Sequence, residues 1–244
     1  MMQTTLSRRI HRVRHDLLRR ELTVSRIEAI SPGFISVTLT GASLDSFDTL
    51  SFDDHVKLMI ESGVFGLQRR DYTPRRFNRE SRELTLEFAL HGSGPASEWA
   101  QSARVGQPLT VGGPRGSMVI PTDYHWHLLV GDATALPAIH RRLEELPADA
   151  HAIAVVKVND RADRRSISSQ ARLDLRWVED DQELLRTLRA LNLPAGEGFA
   201  WAAGEAALMR DVRDIVLNEH RVPPGNARVS AYWKRGAVSY HDSL

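Results

Sequence analysis

Five clusters of chemistry-bearing residues punctuate this 244-residue chain. Arg70-Asp71-Tyr72-Thr73-Pro74-Arg75 sets an aromatic ring, a hydroxyl and guanidinium groups side by side. A tyrosine ring can cover a planar cofactor, a threonine can bond a ring nitrogen or carbonyl, and an arginine can fork onto a phosphate. The same run also suits an edge strand with solvated arginines, Arg70 and Tyr72 on one face and Thr73 on the other unless Pro74 turns the chain. His91-Gly92-Ser93-Gly94-Pro95-Ala96-Ser97 follows a strand and opens a helix. Its free N–H groups and the Ser97 hydroxyl make a diphosphate cradle or, without a ligand, a tight strand-to-helix turn. Because it follows an antiparallel strand, it is not the glycine fingerprint of a βαβ unit. Gly131-Asp132-Ala133-Thr134-Ala135 and Trp201-Ala202-Ala203-Gly204-Glu205 each end an apolar run, where open α/β sheets bind ligands. Tyr232-Trp233-Lys234-Arg235-Gly236 closes the last run with two aromatics and two cations; basic-tail packing and a place beside a planar cofactor are both open readings.

The elements that must position these residues change rhythm at 119–124. Before it, LTVSRIEAI, FISVTLT, HVKLMIE, ELTLEFAL and PLTVGG alternate and are broken by Ser31-Pro32-Gly33, Gly41, Gly63 and Gly112-Gly113. This predicts an antiparallel six-stranded β-barrel over residues 21–120, with one helix at Pro95–Ala103. After it, the runs HLLVG, AIAVVKV, LRWV, FAWAAG and RVSAYW alternate with helical stretches. Crossover units of this kind predict a doubly wound parallel sheet over residues 121–244. Residues 1–20 form a basic arm, in which Ile10, Val13 and Leu17 recur at helical spacing among Arg8, Arg9, Arg12, Arg14, Arg19 and Arg20.

Composition removes several function classes. With 32 Lys and Arg against 31 Asp and Glu, the chain lacks the basic excess of a nucleic-acid binder. No apolar run is long enough for a transmembrane helix, and no apolar core follows the basic arm as in a secretory signal, so the cytoplasm is the expected location. The absence of cysteine excludes thiolate-held clusters and thiol redox chemistry. His11 with His15, and His125 with His127, lack a third ligand nearby, so no metal site is expected. Any electron transfer here must use an organic cofactor or a non-thiolate metal.

In their order, RDYTPR, HGSGPASEWA, GPRGSM, GDATALPAI, WAAGE and YWKRG resemble the siderophore-interacting proteins, FAD-containing ferric-siderophore reductases built on the ferredoxin–NADP reductase plan. The resemblance runs from about Arg12 to Gly236, with shorter stretches after Met59 and after Gly236 than in some members. It implies FAD packed on Tyr72, with Thr73 near the flavin edge and Arg70 on the pyrophosphate. His91, Gly94, Ala96 and Ser97 would form the pyrophosphate turn. Asp132, Thr134 and Ala135 would line the nicotinamide side, with Tyr232 and Trp233 near the planar cofactor. The implied activity passes electrons from a reduced pyridine nucleotide through flavin to Fe(III), releasing Fe(II) from an anionic siderophore.

Lys57 matches a position that the family places near the ferric substrate. Arg75 and Arg76 join it as expected mouth cations, with Lys234 and Arg235 behind them. After the second parallel strand, Arg161, Arg164 and Arg165 outnumber Asp160, which favours NADPH over NADH. A ferredoxin-type donor is an alternative. So are a non-catalytic flavin or siderophore carrier, and a flavin oxidoreductase serving another acceptor.

Overall fold

Glycine- and proline-bounded alternation in the first half becomes a curled antiparallel sheet. The computed structural model describes residues 9–62, 66–90, 94–237 and 242–243. In chain order its first strands are β1 (His11–Arg14), β2 (Arg19–Ser31), β3 (Phe34–Thr40), β4 (Val56–Ser62), β5 (Gly66–Tyr72), β6 (Arg76–Asn78), β7 (Glu83–Ala89), β8 (Pro108–Gly112) and β9 (Gly116–Val119). Seven of them pair in the order β5-β4-β8-β2-β3-β7-β6, an open half-barrel with seven strands where six were expected. The extra strand is β6, too short to show alternation. It exists because Pro74, which has no N–H, ends β5 and turns the chain, after which the Arg75 N–H donates to the Thr85 carbonyl at 2.9 Å. Leu22, Val24, Val37, Leu39, Leu58, Leu84, Leu86, Phe88 and Val111 fill the curl, and α1 (Pro95–Ser102) closes it with Ala96, Trp99 and Ala100.

The basic arm is not helical where it is described. β1 pairs with β9, matching Val13 to Ser117. A side chain at Gly116 would start 2.5 Å from the Val13 carbonyl, so only bare backbone admits this approach. Arg9 continues across to the second half, pairing with Asp123 and with Glu197 at 2.7 Å and lying over the Tyr124 ring.

Continuous apolar runs mark strands buried on both faces, and they form the second sheet. It contains β10 (Trp126–Gly131), β11 (His151–Lys157), β12 (Arg172–Val178), β13 (Gly198–Glu205) and β14 (Ala227–Trp233), with the antiparallel β15 (Asp242–Ser243) at its edge. The order is β12-β11-β10-β13-β14-β15. Helix α2 (Leu136–Glu145) covers one face, while α3 (Asp181–Arg189) and α4 (Ala206–Asp214) cover the other. Strand order reverses at β10, so a crevice opens at the carboxyl ends of β10 and β13. At Gly131 a Cβ would stand 2.5 Å from that of Ala135 and 2.7 Å from the Ala203 carbonyl, which fixes glycine at this crossing.

The halves share one core, because Phe34, Phe52 and Ala89 pack with the α2-side cluster. Polar ties add to it: Asp163 accepts from Ser31 Oγ and Gly33 N, each at 2.7 Å. Arg141 donates to the carbonyls of Pro74 and Thr49, and Trp201 Nε1 donates to Asp53 at 3.2 Å. His127 sits inside, its ring against the Thr122 carbonyl. Burial, aided by Arg142, pushes its pKa down to about 4; burial and Arg75 push His140 down to about 3. Unfolding releases both rings to protonate near pH 6.5. The unfolded state then binds more protons below that pH, so stability falls as pH drops from about 6.5 toward 4. His127→Gln should flatten this acid limb in a series of Tm against pH; an unchanged slope would clear His127 of the effect.

Candidate functional site

On the barrel side, β5 carries Arg70 and Tyr72 opposite Leu58 and Val56 of β4. The Tyr72 ring lies 4.4 Å from that of Phe88, which lies 5.5 Å from Trp99 on α1. An aromatic ladder thus ties the RDYT strand to the helix that follows the glycine turn. Burial pushes the Tyr72 phenol well above its ordinary value, leaving a neutral ring. Gly94 enters α1 extended, with no side-chain cap, and the first helical bond runs from Glu98 N to the Gly94 carbonyl at 2.9 Å. The N–H groups of Ala96 and Ser97 therefore lack intrahelical acceptors. Among the described residues, a Cβ at Gly94 would meet nothing within 4 Å, so none of them crowds these donors. Backbone donors, a guanidinium and an aromatic face are the donor set that a flavin dinucleotide needs. His91 lies outside the described residues.

On the crevice side, Asp132 gathers three strand ends. Its carboxylate accepts from Thr134 N at 2.9 Å, Thr134 Oγ1 at 2.6 Å, Glu205 N at 2.9 Å and Trp233 Nε1 at 2.9 Å. Glu205 in turn caps α4 by accepting from Ala207 N and Leu208 N, and it holds Arg235 N at 3.2 Å. These backbone bonds outweigh the opposing effect of burial and keep the Glu205 carboxyl below its usual range. Ala135 is buried at the start of α2. The Tyr232 phenol is pushed up first by burial and then by Asp53, and Thr73, just past β5, acts on it in the opposite direction. The RDYT strand and the end of β14 therefore lie close together.

The expected cations divide. Lys57 is half exposed but pairs with Asp71 at 2.6 Å. Arg75 is not a mouth cation. It is 3% exposed and locked to Glu87 at 3.2 Å and Glu144 at 2.7 Å, because Pro74 turns it inward between the barrel and α2. Arg76 is exposed but joins the same Glu144 at 2.7 Å, on a groove between β6 and α2. Lys234 and Arg235 are exposed after β14. Beyond β11, Arg161 and Arg164 share one oxygen of Glu179 at 2.5 and 2.7 Å. Arg165 is instead drawn away, to Glu87 at 2.7 Å and over the Phe34 ring. Asp71, Glu87, Glu144 and Asp163 are thus the partners that sequence reading missed; only the i,i+4 spacing of His140 and Glu144 gave any signal. Among the described residues, no three His, Asp or Glu side chains gather as a metal site.

Comparison with known proteins matches both halves. A siderophore-interacting FAD-binding domain profile covers residues 23–64 and 66–118, and a siderophore-interacting protein profile covers 124–236. The NADPH-dependent ferric-chelate reductase of Escherichia coli is 36% identical over 91% of this chain and 95% of its own length. The ferric vibriobactin reductase ViuB of Vibrio cholerae is 30% identical, over 91% and 93% respectively. A siderophore utilization protein from T. fusca superposes with a TM-score of 0.89 at 32% identity, covering 95% of this chain and 99% of that one. Phthalate dioxygenase reductase, at 18% identity, TM-score 0.64 and coverage of 92% and 70%, shares the fold alone. The half-barrel with its RDYT strand and the parallel sheet with its stapled crevice are accordingly those of the siderophore-interacting protein family, to which this chain belongs.

Proposed function

We propose that the chain is an NADPH-dependent, FAD-containing ferric-siderophore reductase whose product is Fe(II). The observation that carries this reading is the Asp132 carboxylate stapling β10, β13 and β14, with Tyr232 of β14 placed where Thr73 acts on its phenol. It brings the strand suited to a flavin and the crevice suited to a nicotinamide to one place. The activities by which the two reductase relatives are named support it. When bound, FAD turns the two-electron donation of a reduced nicotinamide into the single electrons that Fe(III) accepts.

The chain's own residues position and shield. Tyr72 offers its ring, Arg70 and the α1 amides take the pyrophosphate, and Thr73 stands at the flavin edge. Gly131 keeps the crevice floor free of side chains, and Asp132 fixes the residues around it. Cations at the mouth, with Lys57 foremost and Arg76, Lys234 and Arg235 as further candidates, draw in an anionic ferric chelate. Hard oxygen chelators hold Fe(II) far less tightly than Fe(III), so reduction frees the metal. A reduced nicotinamide donor fits a reaction in the cytoplasm, where that donor is supplied. No described helix is long and apolar enough to cross a membrane.

The donor assignment rests on Arg161 and Arg164. Two guanidiniums on one Glu179 oxygen leave a net positive fork suited to a ribose 2′-phosphate. Arg161→Ala combined with Arg164→Ala should raise KM for NADPH about tenfold or more, while KM for NADH stays constant. Fe(II) trapping with each donor reads the result. Equal effects on both nucleotides would remove the arginines from the 2′-phosphate site. No turnover with either nucleotide, but turnover with a reduced ferredoxin, would replace the donor.

A further inference from the structure

Lys57 and Asp71 stand directly opposite one another on β4 and β5. The lysine Nζ lies 2.6 Å from Asp71 Oδ1, with the side chains 44% and 25% exposed. On its other flank Lys57 faces Gly112 of β8, which has no side chain, so Asp71 supplies its cross-strand contact. Both partners sit on rigid paired strands, so the contact does not depend on a loop closing. Asp71 also lies near enough to Tyr232 of β14 for its charge to act on that phenol, so the pair borders the junction of the two halves. An anion approaching the Lys57 ammonium must therefore compete with a carboxylate already in place.

We propose that Asp71 is a charge-selectivity residue of the ferric-chelate site, holding Lys57 so that multiply anionic chelates gain less than they would from a free ammonium. This rests on the reductase reading and on Lys57 facing the substrate. Its chemistry is simple. With Asp71 present the pair is neutral overall, and binding a trianionic chelate requires the lysine to be shared or the carboxylate to be approached by like charge. A neutral hydroxamate chelate meets neither cost. Asp71 thus favours weakly charged chelates relative to tricatecholates, at a site that still contains a cation.

The test is binding of redox-inert Ga(III) chelates to the FAD-loaded protein, followed by quenching of intrinsic fluorescence, for wild type, Asp71→Asn, Lys57→Met and the double variant. Asp71→Asn keeps the shape and hydrogen-bonding reach of the side chain. It should tighten Ga(III) tricatecholate about two- to fivefold, the range an exposed ion pair allows, and leave a neutral Ga(III) trihydroxamate unchanged. The gain should shrink with added salt and vanish in the Lys57→Met background. No gain, an equal gain for both chelates, or a gain that persists without Lys57 would overturn the proposal. Failure of the wild type to bind any chelate would instead remove the ferric-chelate reading beneath it. Binding without Fe(II) production from the matching Fe(III) chelate and NADPH would remove the reductase activity but not the selectivity of the site.

Discussion

Asp132→Ala is expected to cut nucleotide-driven flavin reduction about a hundredfold while FAD stays bound, because one carboxylate ties the ends of β10, β13 and β14 at the crevice. The side chain is buried and accepts from two backbone N–H groups, a hydroxyl and an indole N–H. Alanine would strand these donors with little access to water. Unmade buried hydrogen bonds cost about 1–3 kcal/mol each and do not add fully, so a loss of about 3–5 kcal/mol in urea denaturation is expected. The damage should stay in the second half. The barrel core and α1 make no hydrogen bond to this carboxylate, so absorbance of bound flavin should survive. Asp132→Asn is the informative companion: it keeps the volume but turns an N–H toward N–H donors, so part of the loss should remain. Wild-type stability and wild-type reduction in the alanine variant would show that Asp132 staples nothing.

Arg75→Met is expected to destabilise the protein by about 3–5 kcal/mol without selectively weakening the reduction of anionic chelates. Its guanidinium lies between Glu87, itself buried, and Glu144 of α2. Removal would leave Glu87 to Arg165 and Glu144 to Arg76 but strip the buried guanidinium that joins them, so carboxylate oxygens inside the seam would lose their donors. Against the opposing effect of burial, hydrogen bonds from Arg75 and Arg76 and the Arg75 charge pull the Glu144 carboxyl down to about 2. Equilibrium denaturation reads the stability. Steady-state kinetics with neutral and anionic ferric chelates reads the substrate site. A variant of normal stability with an anion-specific kinetic defect would return Arg75 to the mouth.

These two residues show where the sequence was legible. GDATAL could be assigned to a crevice because an apolar run followed by small residues has only a few uses in a crossover sheet. The long alternating strands β2, β3, β4, β7 and β8 and the apolar strands β10, β11 and β13 were readable for the same reason: their burial repeats along the chain. β1 was not, because its residues carry helical spacing and its pairing depends on bare backbone at Gly116, over a hundred residues away. β6 is three residues long and owes its existence to Pro74. Within the site, the order of motifs pointed to the cofactors, yet residue type alone did not show which arginines and lysines were already paired. Arg75 finds Glu144 at a separation of 69 residues, and Asp163 finds Ser31 at 132. Lys57 and Asp71 are 14 apart, and only the register of β4 against β5 joins them. Cationic residues in a seam and at a mouth look the same until the topology supplies their partners.

The most direct test of the account is anaerobic stopped-flow absorbance of the FAD-loaded protein, mixed first with NADPH and then with a ferric tricatecholate. The oxidised flavin band should bleach with NADPH faster than with NADH. It then returns when the chelate is added, with Fe(II) appearing in a ferrous trap in the ratio of two irons per nucleotide that electron balance requires. A bleached flavin that the ferric chelate does not reoxidise would contradict the reductase assignment and favour another acceptor. A protein that takes up no FAD would contradict the site itself.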